Sequence, residues 1–375
     1  MRAVGPKQPL VRLRRGTVLE VVSVPPDEAG PAELTVDVDG MSAPALAYPG
    51  LVGAVQVGDT VVLNTTALQL GLGTGGFHLV VAVEGGDPTD VVHPGRVMKA
   101  RYTPLQVVVE AVEETHRDAL ERSRGLRNTP VVCAPLHSML APIAAGAKAS
   151  GDARVVYLMT DGAALAGGLS RLVPRLREAG LLDGWITVGQ AFGGELEAVT
   201  IWTGLLAAKE LLEAEVIVVA DAPGNLGTDT TWGVSALGSG HALMAAETLK
   251  GRPVAALRIS FADERTRHRG VSHHSLTILR DVCRTDVNVA VPALEEPERT
   301  TVWDALRASK LEERHQLVEA DGRPALDELE RRAITVTSMG RTPAEDPAFF
   351  LSAGAAGVLA GRMAAGSRRC QDLNR

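Results

Sequence analysis

The sequence has few of the residues that mark disulfide-stabilised or aromatic-rich proteins. Its three cysteines, Cys133, Cys283 and Cys370, form no short-spaced pair and no zinc pattern, so we expect reduced core thiols and no disulfide framework. Aromatic residues make up only 3% of the chain. Alanine, valine, leucine and glycine must therefore carry the packing, as is common in parallel sheets covered by helices.

No stretch of the sequence is typical of a signal peptide or a membrane span. The N-terminus is basic but lacks the apolar core of a signal peptide. The apolar run at residues 349–365 is rich in glycine and broken by Arg362, and it falls short of the about 20 apolar residues that a span needs. We expect a buried helix there, no membrane association and a cytoplasmic protein.

The charge balance argues against a general nucleic-acid-binding surface. The formal net charge is −7, which repels a polyanion unless a local basic patch forms. Basic residues do occur near the N-terminus, but aromatic side chains for base stacking are almost absent. Nucleic-acid binding through the N-terminal region is the weakest of the function classes that we weigh.

Residues 1–100 predict a small β-barrel of the OB or SH3-like kind. Short β-branched runs alternate with turns such as Asp39-Gly40 and Pro49-Gly50. The predicted strands are residues 17–24, 33–38, 45–48, 60–63 and 78–83. Glycines 71, 73 and 76 satisfy a GxGxxG pattern, but a strand follows them where a dinucleotide-binding fold needs a helix, so we reject that assignment.

Residues 101–375 predict an α/β domain with a mostly parallel, doubly wound sheet. A helix is expected at residues 105–124, and strands then alternate with helices. Helices are expected to begin near Ser138, Leu165 and Glu195, and charged helices to run through Arg332. The predicted strands are residues 131–134, 154–159, 185–188, 216–220, 254–259, 286–291 and 334–338.

Polar loops follow several of these strands, and ligands in such sheets bind beyond the carboxyl ends of the strands. Asp161 follows the second strand and is a candidate catalytic or metal-binding carboxylate, unless it caps a helix. Gly193 and Gly194 could present amides to an anion at a helix N-terminus, or simply form a tight turn. Gly227 and Thr228 lie in a long loop of small polar residues that could cradle a ligand.

The segment after the fifth strand carries the most chemistry. Arginine forks suit phosphate or carboxylate, and Ser272 can cap the helix that follows. Histidines here are candidate acids or bases, and a divalent metal is an alternative, although the spacing matches no named metal motif. Adjacent His273 and His274 are not expected to point the same way. The candidates are His268 and His273 for catalysis, Arg265, Arg267, Arg269 and Ser272 for ligand binding, and Asp263 and His274 for a metal; a solvated polar loop is the simpler interpretation.

Arg341 follows the last predicted strand and is a further candidate anion contact, although surface solvation explains it equally simply.

Several stretches resemble a known bacterial family. LNTTALQLGLGTGGFH, VMKARYTP, LMTDGAAL, VGQAFGGELEAV and RISFADERTRHRGVSHHS are similar to the domain of unknown function 3866 family of actinobacteria and Firmicutes. The resemblance covers most of the chain and implies a bacterial protein with one coherent fold. It implies no reaction.

Two functions remain open from the sequence. The first is an enzyme that acts on a small phosphorylated or carboxylated metabolite at the carboxyl edge of the sheet, with or without a divalent metal cofactor. The second is a non-catalytic binding or regulatory protein, for which a looser resemblance suggests a partner of a ParA-type chromosome-segregation ATPase (ParJ-like). The charged segment at residues 303–332 would then be its interface, although a solvated helical face accounts for the same pattern.

Overall fold

The computed structural model describes residues 10–25, 30–72, 75–86 and 94–372, with the backbone alone for residues 369–372. The chain packs into two compact units. The first comprises Met1–Pro94 and Ala100–Val107, and the second comprises Gly95–Lys99 and Val108–Arg375.

The first unit is a closed barrel of five strands with the order β1-β2-β3-β5-β4, which confirms the predicted N-terminal barrel. Buried and half-buried residues alternate along β2, as expected for a strand with one face in a core. Gly16 lets the chain close tightly, because a Cβ there would lie 2.7 Å from the carbonyl oxygen of Asp37. The elements are β1 (Leu13–Ser23), β2 (Ala32–Val38), β3 (Met41–Ala47), α1 (Pro49–Val52), β4 (Thr60–Asn64), α2 (Thr66–Gln69) and β5 (His78–Val83).

The GxGxxG stretch lies between α2 and β5 of this barrel. Gly73 lies outside the described residues, whereas the strand that argues against a dinucleotide-binding fold is present as β5.

The second unit contains an eight-stranded sheet in which every neighbouring pair is parallel. Its order is β11-β10-β9-β12-β8-β13-β16-β17, and two small two-stranded sheets, β6-β7 and β14-β15, accompany it. The strands are β6 (Val97–Lys99), β7 (Val107–Val109), β8 (Pro130–Cys133), β9 (Val155–Thr160), β10 (Gly184–Val188), β11 (Leu196–Ala198), β12 (Val216–Asp221), β13 (Arg252–Ala256), β14 (Ile259–Ser260), β15 (Gly270–Val271), β16 (Asn288–Pro292) and β17 (Gln316–Ala320).

Helices cover both faces of this sheet, which confirms the predicted doubly wound architecture. One core cluster contains buried residues of α5, α6, α11 and α12, and the opposite cluster contains those of α7, α8 and α10. The helices are α3 (Val112–Thr115), α4 (Arg117–Glu121), α5 (Leu140–Gly151), α6 (Leu172–Glu178), α7 (Ile201–Glu210), α8 (Gly238–Thr248), α9 (His273–Thr277) with a π-helical turn at Ile278–Val282, α10 (Glu298–Ala308), α11 (Arg323–Arg331) and α12 (Pro347–Asp372).

The long C-terminal helix α12 packs closely on α5 through small residues. A Cβ at Gly357 would lie 2.0 Å from the carbonyl oxygen of Ile143, and one at Gly146 would lie 2.6 Å from that of Gly354. Small side chains thus let the two helices approach closely, and this contact is made without aromatic residues. By length and composition Pro347–Arg368 could cross a membrane, but 78% of its most apolar window is buried inside the protein. It is the buried helix that the sequence predicts.

Four secondary-structure predictions are wrong. Residues 334–338 form no strand, and the eighth strand is instead β17, which lies inside the stretch predicted as charged helices. Residues 105–124 form β7 and two short helices in place of one long helix, since Val107–Val109 pairs with β6. The helix expected at Glu195 begins only at Ile201, since Leu196–Ala198 pairs with β10 first. The helix expected near Leu165 begins at Leu172.

Candidate functional site

The carboxyl ends of β9 and β12 lie side by side, and a buried carboxylate joins their loops. Asp221, the last residue of β12, accepts hydrogen bonds from Thr160 Oγ1 (2.6 Å), the Gly162 amide (3.1 Å) and Asn225 Nδ2 (3.0 Å). Burial raises the pKa of Asp221, and the three donors oppose that shift. The chain runs from β9 to α6 on one face of the sheet and from β12 to α8 on the opposite face. In doubly wound sheets, a crevice opens between two neighbouring strands whose chains continue to opposite faces.

Asp161 lies at the same edge but is exposed. Its Oδ2 accepts a hydrogen bond of 2.8 Å from the Gln190 amide, so it links the loops that follow β9 and β10. This side chain therefore sits where the sequence places it, in contact with the neighbouring loop.

The amides of Gly193 and Gly194 bond to side chains of the protein itself. Gly193 donates to Glu197 Oε1 (2.6 Å), and Gly194 donates to Thr187 Oγ1 (3.1 Å). Glu197 also bonds the buried ammonium group of Lys99 at 2.6 Å. Since the strand β11 takes the place of the expected helix N-terminus, these amides stabilise the sheet edge.

The loop at residues 222–234 closes on itself and packs against a histidine. Thr228 donates from both its amide and its hydroxyl to the Gly233 carbonyl oxygen, at 2.8 and 3.0 Å. Gly227 pairs with Val234, and a Cβ on Gly227 would lie 4.0 Å from Cε1 of His274. The loop thus covers the segment that follows β13.

Most of the predicted anion-binding arginines bond to carboxylates. The Asp263 side chain is 3% exposed; Arg258 and Arg265 each contact it at 2.8 Å, and Arg341 lies 3.9 Å away. Arg265 is the main cause that holds the pKa of the Asp263 carboxyl well below its usual range. Arg341 also bonds the buried Asp346 at 3.2 Å. We call Asp263, Asp346 and these three arginines the Asp263 network.

The other two arginines of this segment differ from each other. Arg267 pairs with the exposed Asp229 at 2.6 Å, whereas Arg269 is exposed.

Three histidines gather at the start of α9. The ring centroids of His273 and His274 are 3.9 Å apart, and His268 lies 5.3 and 5.2 Å from them. The prediction that His273 and His274 point different ways is wrong, because both rings, in the first turn of α9, lie beside the ring of His268. The pKa of His268 is lowered to about 3 and that of His274 to about 4; burial is the main cause, and the charge of Arg258 contributes to both shifts.

The cap predicted at Ser272 does not form, and Ser138, near which a helix was expected to begin, caps no helix either. Ser272 Oγ bonds His268 Nδ1 at 2.8 Å and makes no cap hydrogen bond to α9. Ser138 lies within a 3₁₀ turn, His137–Met139, and its hydroxyl meets that of Ser338 at 3.0 Å. Both hydroxyls bond side chains instead, Ser272 within its own segment and Ser138 across 200 positions of the chain.

A cleft of 450 Å³ opens beside the loop that follows β12. Arg171 and Arg175 are exposed on one wall, and Ser138 and Ser338 lie on another. Of the described residues that line it, none is acidic. We call it the arginine cleft; its lining comes from residues 136–138, 171, 172, 175, 223–225 and 335–339.

The comparisons with known proteins identify a family and nothing beyond it. Residues 44–357 match the model of the protein family of unknown function DUF3866. The chain belongs to this family. No curated protein matches the chain, and no solved structure does. The predicted resemblance is confirmed, and the function must be argued from the site.

Sequence reasoning missed the arginine cleft. Arg171 and Arg175 stand four residues apart around α6, so one helix face carries both, but nothing in the sequence says that this face borders a loop. The sequence predicts a strand at residues 334–338, so their place on the cleft wall was not foreseen. The loop at residues 222–234 connects the arginine cleft with the three histidines. Gly224 and Asn225 line the cleft, and Gly227 lies against His274.

Proposed function

We propose that the protein binds, and as an enzyme acts on, a small phosphorylated or carboxylated metabolite in the arginine cleft. The observation that carries this proposal is a cavity whose described lining contains two exposed arginines and several hydroxyl groups, and no carboxylate. A small anion would accept charge-assisted hydrogen bonds from guanidinium groups there.

The size and place of the cleft support the same conclusion. Its 450 Å³ falls within the range of about 300–1,000 Å³ that is typical of small-molecule sites. It lies beyond the carboxyl ends of β8 and β12, beside the crevice at Asp221. Ligands of doubly wound sheets bind at this position.

The cleft also offers a fixed frame. Asn225 on its wall bonds Asp221 and Ser235 (3.0 and 3.2 Å), and Arg175 Nη2 donates to the Thr335 carbonyl oxygen at a long 3.4 Å. The backbone at Gly224 has φ of 98°, a conformation that residues with a side chain rarely adopt. The wall of the cleft at this position is therefore backbone without a side chain. A weakly bonded arginine beside a rigid loop can turn to a ligand at low cost.

Isothermal titration calorimetry tests the proposal. The titrants are inorganic phosphate, sugar phosphates, nucleoside monophosphates and small dicarboxylates. We expect at least one to bind, with an affinity that falls as salt rises. Arg171→Ala and Arg175→Ala should each weaken binding by about tenfold or more, since a hydrogen bond to a charged group contributes about 1.5–3 kcal/mol.

The matched control is Arg122→Ala, which removes an arginine whose side chain is 77% exposed on α4's C-terminal side. Its affinity should equal that of the unchanged protein. Failure of every titrant to bind, or binding that survives both cleft substitutions, would overturn the proposal.

A further inference from the structure

We infer that His268, His273 and His274 form a binding site for one divalent transition-metal ion. Each side chain offers one ligand nitrogen, and these three atoms lie within 4.8 Å of one another. We call the three residues the histidine triad. The inference goes beyond the proposed function and stands without it, because it rests on different residues.

Two ring nitrogens of the triad are buried and lack any partner. They are Nε2 of His273 and Nε2 of His274. His274 is 6% exposed and His268 is 2% exposed, so bulk water does not compensate. A buried polar atom without a partner destabilises the folded state. A bound metal ion would give both nitrogens the partner they lack.

The surroundings orient the rings as outer partners of metal ligands do. Ser272 Oγ bonds His268 Nδ1 at 2.8 Å, which fixes the ring and leaves its second nitrogen for a ligand role. The hairpin β14-β15 and the first turn of α9 supply the backbone, with Ile259 pairing Val271 just before Ser272. Three histidines from seven residues of chain are thus held by regular structure.

The donor set selects the class of metal. Three imidazoles suit Zn²⁺, Co²⁺, Ni²⁺, Cu²⁺ or Fe²⁺, whereas Mg²⁺ and Ca²⁺ prefer oxygen ligands. Asp263 is not part of the triad, and two arginines occupy its carboxylate. A tetrahedral ion with bonds of about 2.1 Å needs nitrogens roughly 3.4 Å apart. Small ring rotations would close the triad to that spacing.

The charges nearby decide the fourth ligand. Imidazoles are neutral ligands, so a divalent ion keeps its full charge, and three protein ligands leave one position open. The guanidinium groups of Arg258 and Arg267 act on His273 and His274. Because those cations would repel a bare metal ion, the open position should take an anion such as hydroxide, carboxylate or phosphate.

Titration of the untagged protein with Co²⁺, after treatment with a chelator, tests the inference. We expect one equivalent to bind with the visible absorption of tetrahedral Co²⁺, and Zn²⁺ to displace it. His273→Ala and His274→Ala should each weaken binding by more than about a hundredfold, since even losing an outer partner of a ligand typically costs about 10- to 100-fold.

His241→Ala is the matched control, because His241 is an exposed histidine on α8. It should bind Co²⁺ like the unchanged protein. Circular dichroism of the metal-free variants separates lost ligands from lost folding; if both alanine variants unfold, His273→Gln and His274→Gln replace them. Less than half an equivalent of bound Co²⁺, or equal affinity in folded triad variants and control, would sink the inference. Phosphate titration of the metal-free protein reports on the arginine cleft separately.

Discussion

Two groups of arginines lie on the α/β unit, and they have opposite surroundings. In the Asp263 network, Arg258 and Arg265 reach a carboxylate that is 3% exposed. In the arginine cleft, Arg171 and Arg175 are exposed beside hydroxyl groups. The sequence draws attention to the first group, because its arginines cluster with histidines. Clustering of charge along the chain therefore indicates internal pairing as readily as ligand binding.

The largest expected effect breaks the Asp263 network. Asp263→Asn removes the charge that compensates Arg258, whose side chain is only 11% exposed. Since a buried cation without its partner is costly, we expect a loss of about 3–5 kcal/mol in the free energy of unfolding, measured by urea denaturation. Asp229→Asn is the control, because its carboxylate is 83% exposed and should cost less than about 1 kcal/mol. Equal losses in the two variants would show that the network is no tighter than a surface pair.

The second effect is a pH dependence from a residue of the cleft wall. Burial lowers the pKa of His137 to about 4, from an ordinary value of 6.5. The folded state thus holds the neutral ring, and its stability contribution is complete above pH 6.5 and is lost as pH falls towards 4. The full shift corresponds to about 3 kcal/mol.

His137→Gln, which cannot titrate, checks that assignment. Between pH 6.5 and 4, its unfolding free energy should fall less steeply than that of the unchanged protein. The difference between the two slopes corresponds to at most one bound proton. Parallel slopes would assign the acid sensitivity elsewhere. Because His137 stays neutral near pH 7, its protonation should not change anion binding in the cleft between pH 8 and 6.

The overall fold could be predicted because it depends on patterns that are local in the chain. Val216–Asp221 is buried throughout, and its apolar run predicts a central parallel strand. Strand β17 was not predicted because it lies at the edge of the sheet, where part of the strand is exposed. Gln316 and Glu319 are exposed, so the composition of this stretch resembles that of a charged helix.

The site was harder to predict because it depends on which loops meet. Asp161 follows β9, and His268 and His273 follow β13, as the alternation of strands and helices in the sequence predicts. The proximity of His273 to His274 depends on side-chain rotamers in one helical turn, and the pairing of Ser138 with Ser338 joins residues 200 positions apart. Neither leaves a signal in a single sequence.

A third prediction compares the two arginine groups in one assay. Arg265→Ala removes a guanidinium that donates two hydrogen bonds to Asp263, at 2.9 and 2.8 Å. Since that arginine is already paired, anion affinity should stay within about twofold, whereas Arg175→Ala should lose about tenfold. Calorimetric titration with the tightest anion of the panel measures both. The reverse ranking would move the anion site from the arginine cleft to the segment after β13.

The smallest expected effect concerns the stability of one cleft variant. Arg175 is exposed, and its Nη2 donates a long hydrogen bond of 3.4 Å to the Thr335 carbonyl oxygen. Arg175→Ala should therefore change the free energy of unfolding by less than about 0.5 kcal/mol, as is usual for surface positions. Urea denaturation beside Asp263→Asn measures the contrast directly. A loss above about 2 kcal/mol in this variant would mean that Arg175 holds the fold together, and the distinction between the two groups would disappear.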